Sequence, residues 1–240
     1  MHPVIYTFGP LTVYAYGLMF AVAVMVCTLG ASRDAERLGL APDSIFDLAF
    51  WVVVAGLAGA RLFYVILNAS FFIDHPWEIV MIQKGGLAWQ GGFIAACLAG
   101  IGFVRKKGLP LLPLLDLVAP YVALGESIGR IGCFLNGCCY GKEVAWGIFF
   151  PAHGARLHPT QLYSFFGLLM IFFFLKRYQK TTQVHGRVFA VYLLSASLLR
   201  FGVEFFRADH DVLWAGLSVY QWVCLGLMGA ALYVNARIKS

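Results

Sequence analysis

Ile45-Phe46-Asp47-Leu48-Ala49-Phe50-Trp51-Val52-Val53-Val54-Ala55-Gly56-Leu57-Ala58-Gly59-Ala60-Arg61-Leu62-Phe63-Tyr64-Val65-Ile66-Leu67 is a run of 23 residues with two charges, Asp47 and Arg61. A helix needs about 20 mostly apolar residues to cross the hydrocarbon core of a bilayer, so this run predicts a spanning helix. Six more follow the same rule, giving spans at 13–30, 45–67, 87–104, 111–128, 161–175, 188–206 and 213–234. Pro113, Asp116 and Pro120 interrupt the fourth, an interruption that protein or a wet cavity around the freed backbone groups can absorb. The expected fold is all-α: a polytopic membrane protein of about seven transmembrane helices, forming a single domain over residues 1–240.

Composition agrees. Hydrophobic residues make up 60% of the chain and charged residues 12%, with a mean hydropathy of +0.77. A soluble domain carries about a quarter charged residues, so a soluble α-protein with a large core is disfavoured. The net charge of +6 does not indicate nucleic acid. Its Lys and Arg residues sit in short runs between apolar stretches, as cationic flanks of membrane helices do, rather than in a stripe that neutralises phosphates. Met1-His2-Pro3-Val4 lacks the basic region of a signal peptide, so the chain is expected to insert uncleaved.

Cytoplasmic loops carry the excess of Lys and Arg. One side holds Arg33, Arg37, Arg105, Lys106, Lys107, Lys176, Arg177, Lys180, Arg187, Arg237 and Lys239; the other holds Lys84, Arg130, Lys142, Arg156 and Arg207. The N-terminus is therefore expected outside and the C-terminus in the cytoplasm.

Polar residues that survive within apolar sequence carry the functional signal, since an Arg at a helix centre costs about 2.5–3.5 kcal/mol on insertion scales. Arg200 and Glu204 stand four residues apart and share a helix face; they read either as a structural pair or as an anion site beside a polar cavity. For Arg61, behind the small residues Gly56, Gly59 and Ala60, structural pairing with Asp116 or Glu126 is favoured. The densest polar segment is Gly125-Glu126-Ser127-Ile128-Gly129-Arg130-Ile131-Gly132-Cys133-Phe134-Leu135-Asn136-Gly137-Cys138-Cys139-Tyr140-Gly141-Lys142. It reads as a glycine-rich turn on the outer face whose backbone can approach a ligand closely. Arg130 supplies a planar fork suited to phosphate oxygens, and Asn136 can donate to a polar headgroup.

Two shorter pieces fall on the same side. Lys84-Gly85-Gly86-Leu87-Ala88-Trp89-Gln90-Gly91-Gly92-Phe93 stands at a helix entrance, and His158-Pro159-Thr160-Gln161-Leu162-Tyr163 is a helix start with capping polar groups. Cys133, Cys138 and Cys139 with His153 and His158 could suggest a metal site, but their spacing matches no paired zinc pattern and adjacent cysteines are awkward joint ligands. A disulfide is a second reading and small apolar packing the favoured one. No metal or organic cofactor is expected.

Gly129-Arg130-Ile131-Gly132-Cys133-Phe134-Leu135-Asn136-Gly137 resembles the signature of the bacterial prolipoprotein diacylglyceryl transferases. Four other motifs fall in the right order: Tyr16-Gly17-Leu18-Met19, Gly85-Gly86 through Gly91-Gly92, His158 through Tyr163, and Arg200 through Arg207. The resemblance covers nearly the whole chain. It implies a multi-pass enzyme of the bacterial inner (cytoplasmic) membrane with its active site toward the outer face. Its partners would be phosphatidylglycerol, the lipobox segment of a prolipoprotein and membrane lipids. The diacylglyceryl group would move to the lipobox cysteine as a thioether, releasing glycerol phosphate. By that resemblance Arg130, Arg200 and Glu204 are catalytic: the two arginines neutralise the phosphate and Glu204 orients Arg200. Tyr16, Gln90, Gly91, Gly92, Asn136, His158 and Arg207 would bind substrate.

The sequence departs from the family pattern at four positions. Gln90 stands where many members have a His proposed as general base, Cys133 where Asn is common, Cys138 where Glu is common, and Ser164 where Glu is common. Gln cannot take a proton at neutral pH. Three readings follow: the thiol is activated by the field of the arginines, His158 substitutes as base, or the chain is a divergent member with another acceptor or a lost activity. A lipid or solute transporter is the non-enzyme alternative, unsupported by any half-chain repeat.

Overall fold

The computed structural model describes the chain apart from residues 9–10, 83–84, 209–211 and 239–240. Lys84 and Lys239 therefore lie outside the described residues. The chain resolves into two compact units, residues 1–31 with 112–240, and residues 32–111.

The first unit opens with a hairpin of β1 (Val4–Phe8) and β2 (Leu11–Tyr14) and passes directly into α1 (Ala15–Ala35). The expected fourth span is one continuous helix, α5 (Leu111–Asn136), with Pro120 inside it. Gly125 to Asn136, expected as a glycine-rich turn, is thus helical, and the turn begins only at Gly137. The small residues serve close packing instead. A methyl group at Gly132 would lie 3.2 Å from Tyr16 Cα, and Cys27 Sγ lies 3.1 Å from the Tyr121 carbonyl, so α1 runs antiparallel along α5. A second hairpin, β3 (Glu143–Phe150) and β4 (Ala155–Leu157), leads to α6 (Thr160–Tyr178) and α7 (Arg187–Glu204). A third, β5 (Val212–Trp214) and β6 (Leu217–Ser218), precedes α8 (Val219–Arg237). The last expected span therefore starts at Val219 rather than 213, and the all-α expectation omits three hairpins.

Asp116 ties α5 to the start of α7: its carboxylate accepts from the backbone N–H of Gly186 at 2.5 Å and of Phe189 at 2.9 Å. Negative charge at a helix N-terminus satisfies orphan donors and the helix dipole together. Glu126 accepts from Tyr192 Oη at 2.8 Å. Among the described residues the side-chain partners of these two acids are backbone amides and a tyrosine rather than the arginine expected from sequence. Ala119, Ala123, Leu175, Val188 and Tyr192 form the buried core where α5, α6 and α7 meet.

In the second unit α2 (Pro42–Leu67) and α4 (Trp89–Lys107) pack antiparallel, with a short α3 (Ala69–Asp74) between them in sequence. A side chain at Gly59 would collide with Ala95 and Gly91, and one at Gly91 with Phe63 and Gly59; small residues on both helices let the backbones touch. Lys107 meets Asp47 at 3.6 Å at one end of the pair. Arg61 is buried and donates to the carbonyls of Glu78, Ile79, Gly85 and Gly86, at 2.8 Å for Ile79 and 2.6 Å for Gly85. Its role is structural, as expected, but its partners are backbone.

Among the described residues four helices are long and apolar enough to cross a membrane: α1, α2, α5 and α8. Phe50 and Leu62 are 60% and 63% exposed on α2. Such broad apolar exposure is unfavourable in water and natural in lipid.

Candidate active site

Three motifs far apart in sequence are fastened together at the end of α5. Gly137, at φ +73°, ends the helix in the left-handed conformation that glycine adopts most readily. Its N–H bonds the Phe134 carbonyl at 3.1 Å, and the N–H of Cys138 bonds the Cys133 carbonyl at 3.2 Å, the two bonds of a Schellman ending. The strand-like segment that follows is held from two sides. Gly141 N–H donates to the His158 carbonyl at 2.9 Å, His158 N–H to the Lys142 carbonyl at 3.0 Å, and Lys142 N–H to the Phe206 carbonyl at 2.8 Å. A side chain at Gly141 would collide with Phe206 and His158, so this three-way junction requires glycine. Thr160 Oγ1 and Gln161 Nε2 donate to the carbonyls of Cys139 and Cys138, each at 2.6 Å. These two side chains, expected to cap α6, instead fix the cysteine turn; α6 has no side-chain cap.

Glu204 organises the basic side. Its buried carboxylate meets Arg200 Nη2 at 2.8 Å and Arg207 Nε at 4.0 Å, and accepts from Ser218 Oγ at 2.9 Å. Arg200 also stacks over Tyr220, 5.3 Å from the ring centre, while its Nη1 is buried with no hydrogen-bond partner among the described residues. Arg130 and Arg207 both act electrostatically on Arg200 and on Cys139, so three guanidinium groups share one neighbourhood. Hydrogen bonds from Cys133 and Cys138, together with the charges of Arg207 and Arg130, hold the Cys139 thiol below its ordinary range despite burial.

The other expected site residues divide. Tyr16, half exposed on α1, interacts with Arg130 and the three cysteines, and Asn136, exposed at the end of α5, lies beside Cys138. His158 is buried among Trp146, Tyr163 and Phe206, with Nδ1 3.0 Å from Tyr163 Oη. It borders an apolar groove of about 790 Å³ between α6 and α7, lined by Gly167, Met170, Leu198 and Leu199 among others. Gln90 is exposed near the start of α4 in the other unit, and Gly91 and Gly92 pack against α2.

Sequence reasoning missed Ser218. The signal was present: Ser218-Val219-Tyr220-Gln221 just before an apolar run is a capping box, and both of its reciprocal bonds form. Extending the last span back to 213 concealed it.

The family model for prolipoprotein diacylglyceryl transferase matches residues 3–237. The chain belongs to this family. It is 34% identical over 232 residues to the phosphatidylglycerol–prolipoprotein diacylglyceryl transferase of Clostridium tetani, covering 94% of this chain and 93% of the relative. Identity to the Trichormus variabilis enzyme of the same name is 35% over 257 residues, covering 98% and 91%. For the Bordetella avium enzyme it is 35% over 253 residues, covering 99% and 96%. The protein is thus a transferase of this family, and its apolar helices are those of a multi-pass membrane enzyme.

Proposed function

We propose that this chain moves the diacylglyceryl group of phosphatidylglycerol onto the lipobox cysteine of a prolipoprotein, acting as one domain over residues 1–240. The thiol sulfur attacks the glyceryl carbon that bears the phosphodiester. A C–S bond forms, the C–O bond to phosphate breaks, and glycerol phosphate leaves with the bonding electrons. An isolated thiol has a pKa of about 8.5, so the reaction needs a positive field or a base to favour thiolate, and donors for the departing phosphate. Arg130 and Arg200 supply that charge and Arg207 adds to it. Glu204 orients Arg200, and Tyr16 and Asn136 contact the headgroup. Gln90, Gly91 and Gly92 bind substrate from the helix entrance, and His158 lines the pocket. The groove between α6 and α7 is apolar enough to accept an acyl chain.

The observation that carries the reading is the buried Nη1 of Arg200, without a hydrogen-bond partner among the described residues, on a guanidinium whose other edge Glu204 already neutralises. A donor in that state is an expensive feature unless a ligand completes it. Helices α4, α6 and α7 also cross the membrane, alongside the four more apolar helices. The Lys and Arg bias supports an N-out, C-in orientation in the inner membrane, with the site toward the outer face.

The test mixes purified protein in detergent with phosphatidylglycerol and a lipobox peptide. Release of glycerol phosphate is expected to match formation of diacylglyceryl-modified peptide, and a peptide with Ser in place of Cys is expected to stop both. Release that persists with the Ser peptide would make the protein a lipid hydrolase instead.

A further inference from the structure

Cys133, Cys138 and Cys139 place their three sulfur atoms within 4.8 Å of one another, at positions where the family resemblance gives no reason for cysteine. Two features of the backbone produce the cluster. The Schellman ending of α5 brings the side chain of Cys133, three residues before the last helical residue, against that of Cys138, the second residue beyond it. Cys139 then takes φ +63°, a left-handed conformation that costs a non-glycine residue about 1–2 kcal/mol. This bend returns its side chain to the side of Cys138, so that adjacent cysteines, ordinarily awkward as joint ligands, converge. Thr160 and Gln161 lock the bend through the two carbonyls. All three thiols are free and half-buried.

We propose that these cysteines form a three-sulfur site for a soft, monovalent thiophilic cation of the Cu(I) class. Metal–thiolate bonds of about 2.3 Å put three sulfurs around one ion roughly 4 Å apart, which the cluster accommodates with small adjustment. Thiolates select soft ions. Structural zinc would require a fourth ligand, and among the described residues no further His, Cys, Asp or Glu donor joins the group. Three thiolates around a monovalent ion leave two negative charges, which Arg130 and Arg207 are placed to offset. The site depends on the three sulfurs alone and holds whatever reaction the enzyme performs.

The test uses the full-length protein in detergent, reduced and then freed of reductant, titrated with Cu(I) against a chromogenic chelator. One ion per chain is expected to be captured, with X-ray absorption showing sulfur-only, three-coordinate geometry. Cys138→Ser and Cys139→Ser are each expected to weaken capture by about tenfold or more, whereas Cys97→Ser leaves it unchanged. Because a variant can misfold, the wild-type protein carries its own check: Cu(I) is expected to protect Cys138 and Cys139 from alkylation. Absent capture, capture insensitive to the two substitutions, or unprotected thiols would each overturn the site. So would preferential capture of Zn(II), or a Cys133–Cys138 disulfide in protein isolated without reductant.

Discussion

Glu204 carries more of this site than its single charge suggests. It is buried, yet meets Arg200, Arg207 and Ser218, so its desolvation is offset by charged and hydrogen-bonded partners. Arg200→Gln is expected to lower the transfer rate about 10²–10³-fold, the scale for losing one donor to a developing anion, while membrane insertion persists; the lipobox-peptide assay measures it. Ser218→Ala removes both the cap of α8 and the bond to Glu204. It is expected to cost about 1–3 kcal/mol in detergent thermal unfolding, with Ser218→Thr restoring most of the loss because it keeps the hydroxyl. The spacing of Arg200 and Glu204 was enough to foresee their pairing. Ser218 was not foreseen as a partner, because the hairpin β5–β6 that delivers it looks in sequence like the apolar start of a span.

At the scale of elements, one arginine fixes a whole connection. Arg61, on α2, holds the carbonyls of Glu78, Ile79, Gly85 and Gly86 and so supplies side-chain donors to acceptors along this connection of short turns. Arg61→Lys keeps the charge but not the planar fork of five donors. It is expected to open this connection to limited proteolysis between residues 76 and 88 and to lower stability by about 3 kcal/mol, two charged hydrogen bonds' worth. The carbonyl partners were illegible in sequence for a simple reason: every residue has a carbonyl, and no side chain marks which ones will face a buried cation. The helices themselves were legible because burial in lipid demands long apolar runs. Their ends were less so, since Gly125–Asn136 has the glycine content of a turn but is held helical by close packing on α1.

At the scale of the molecule, charge along the chain sets the proposed orientation. In a version of the chain whose native cysteines are replaced by Ser, His2→Cys is expected to react with a membrane-impermeant maleimide in intact spheroplasts. Arg237→Cys is expected to react only after permeabilisation. Labelling of both, or of Arg237→Cys alone, in intact spheroplasts would reverse or remove that orientation. The sequence by itself determined the solvent of this protein, its helical class and the motifs that carry its family likeness, because apolar runs and intramembrane charges are local and costly in any other setting. Tertiary structure alone decided that residues 137–142, 158–161 and 204–207 form one junction, and that three cysteines meet at the end of α5. Those outcomes rest on left-handed turns and on carbonyls aimed across the fold, which a pattern along one dimension does not contain.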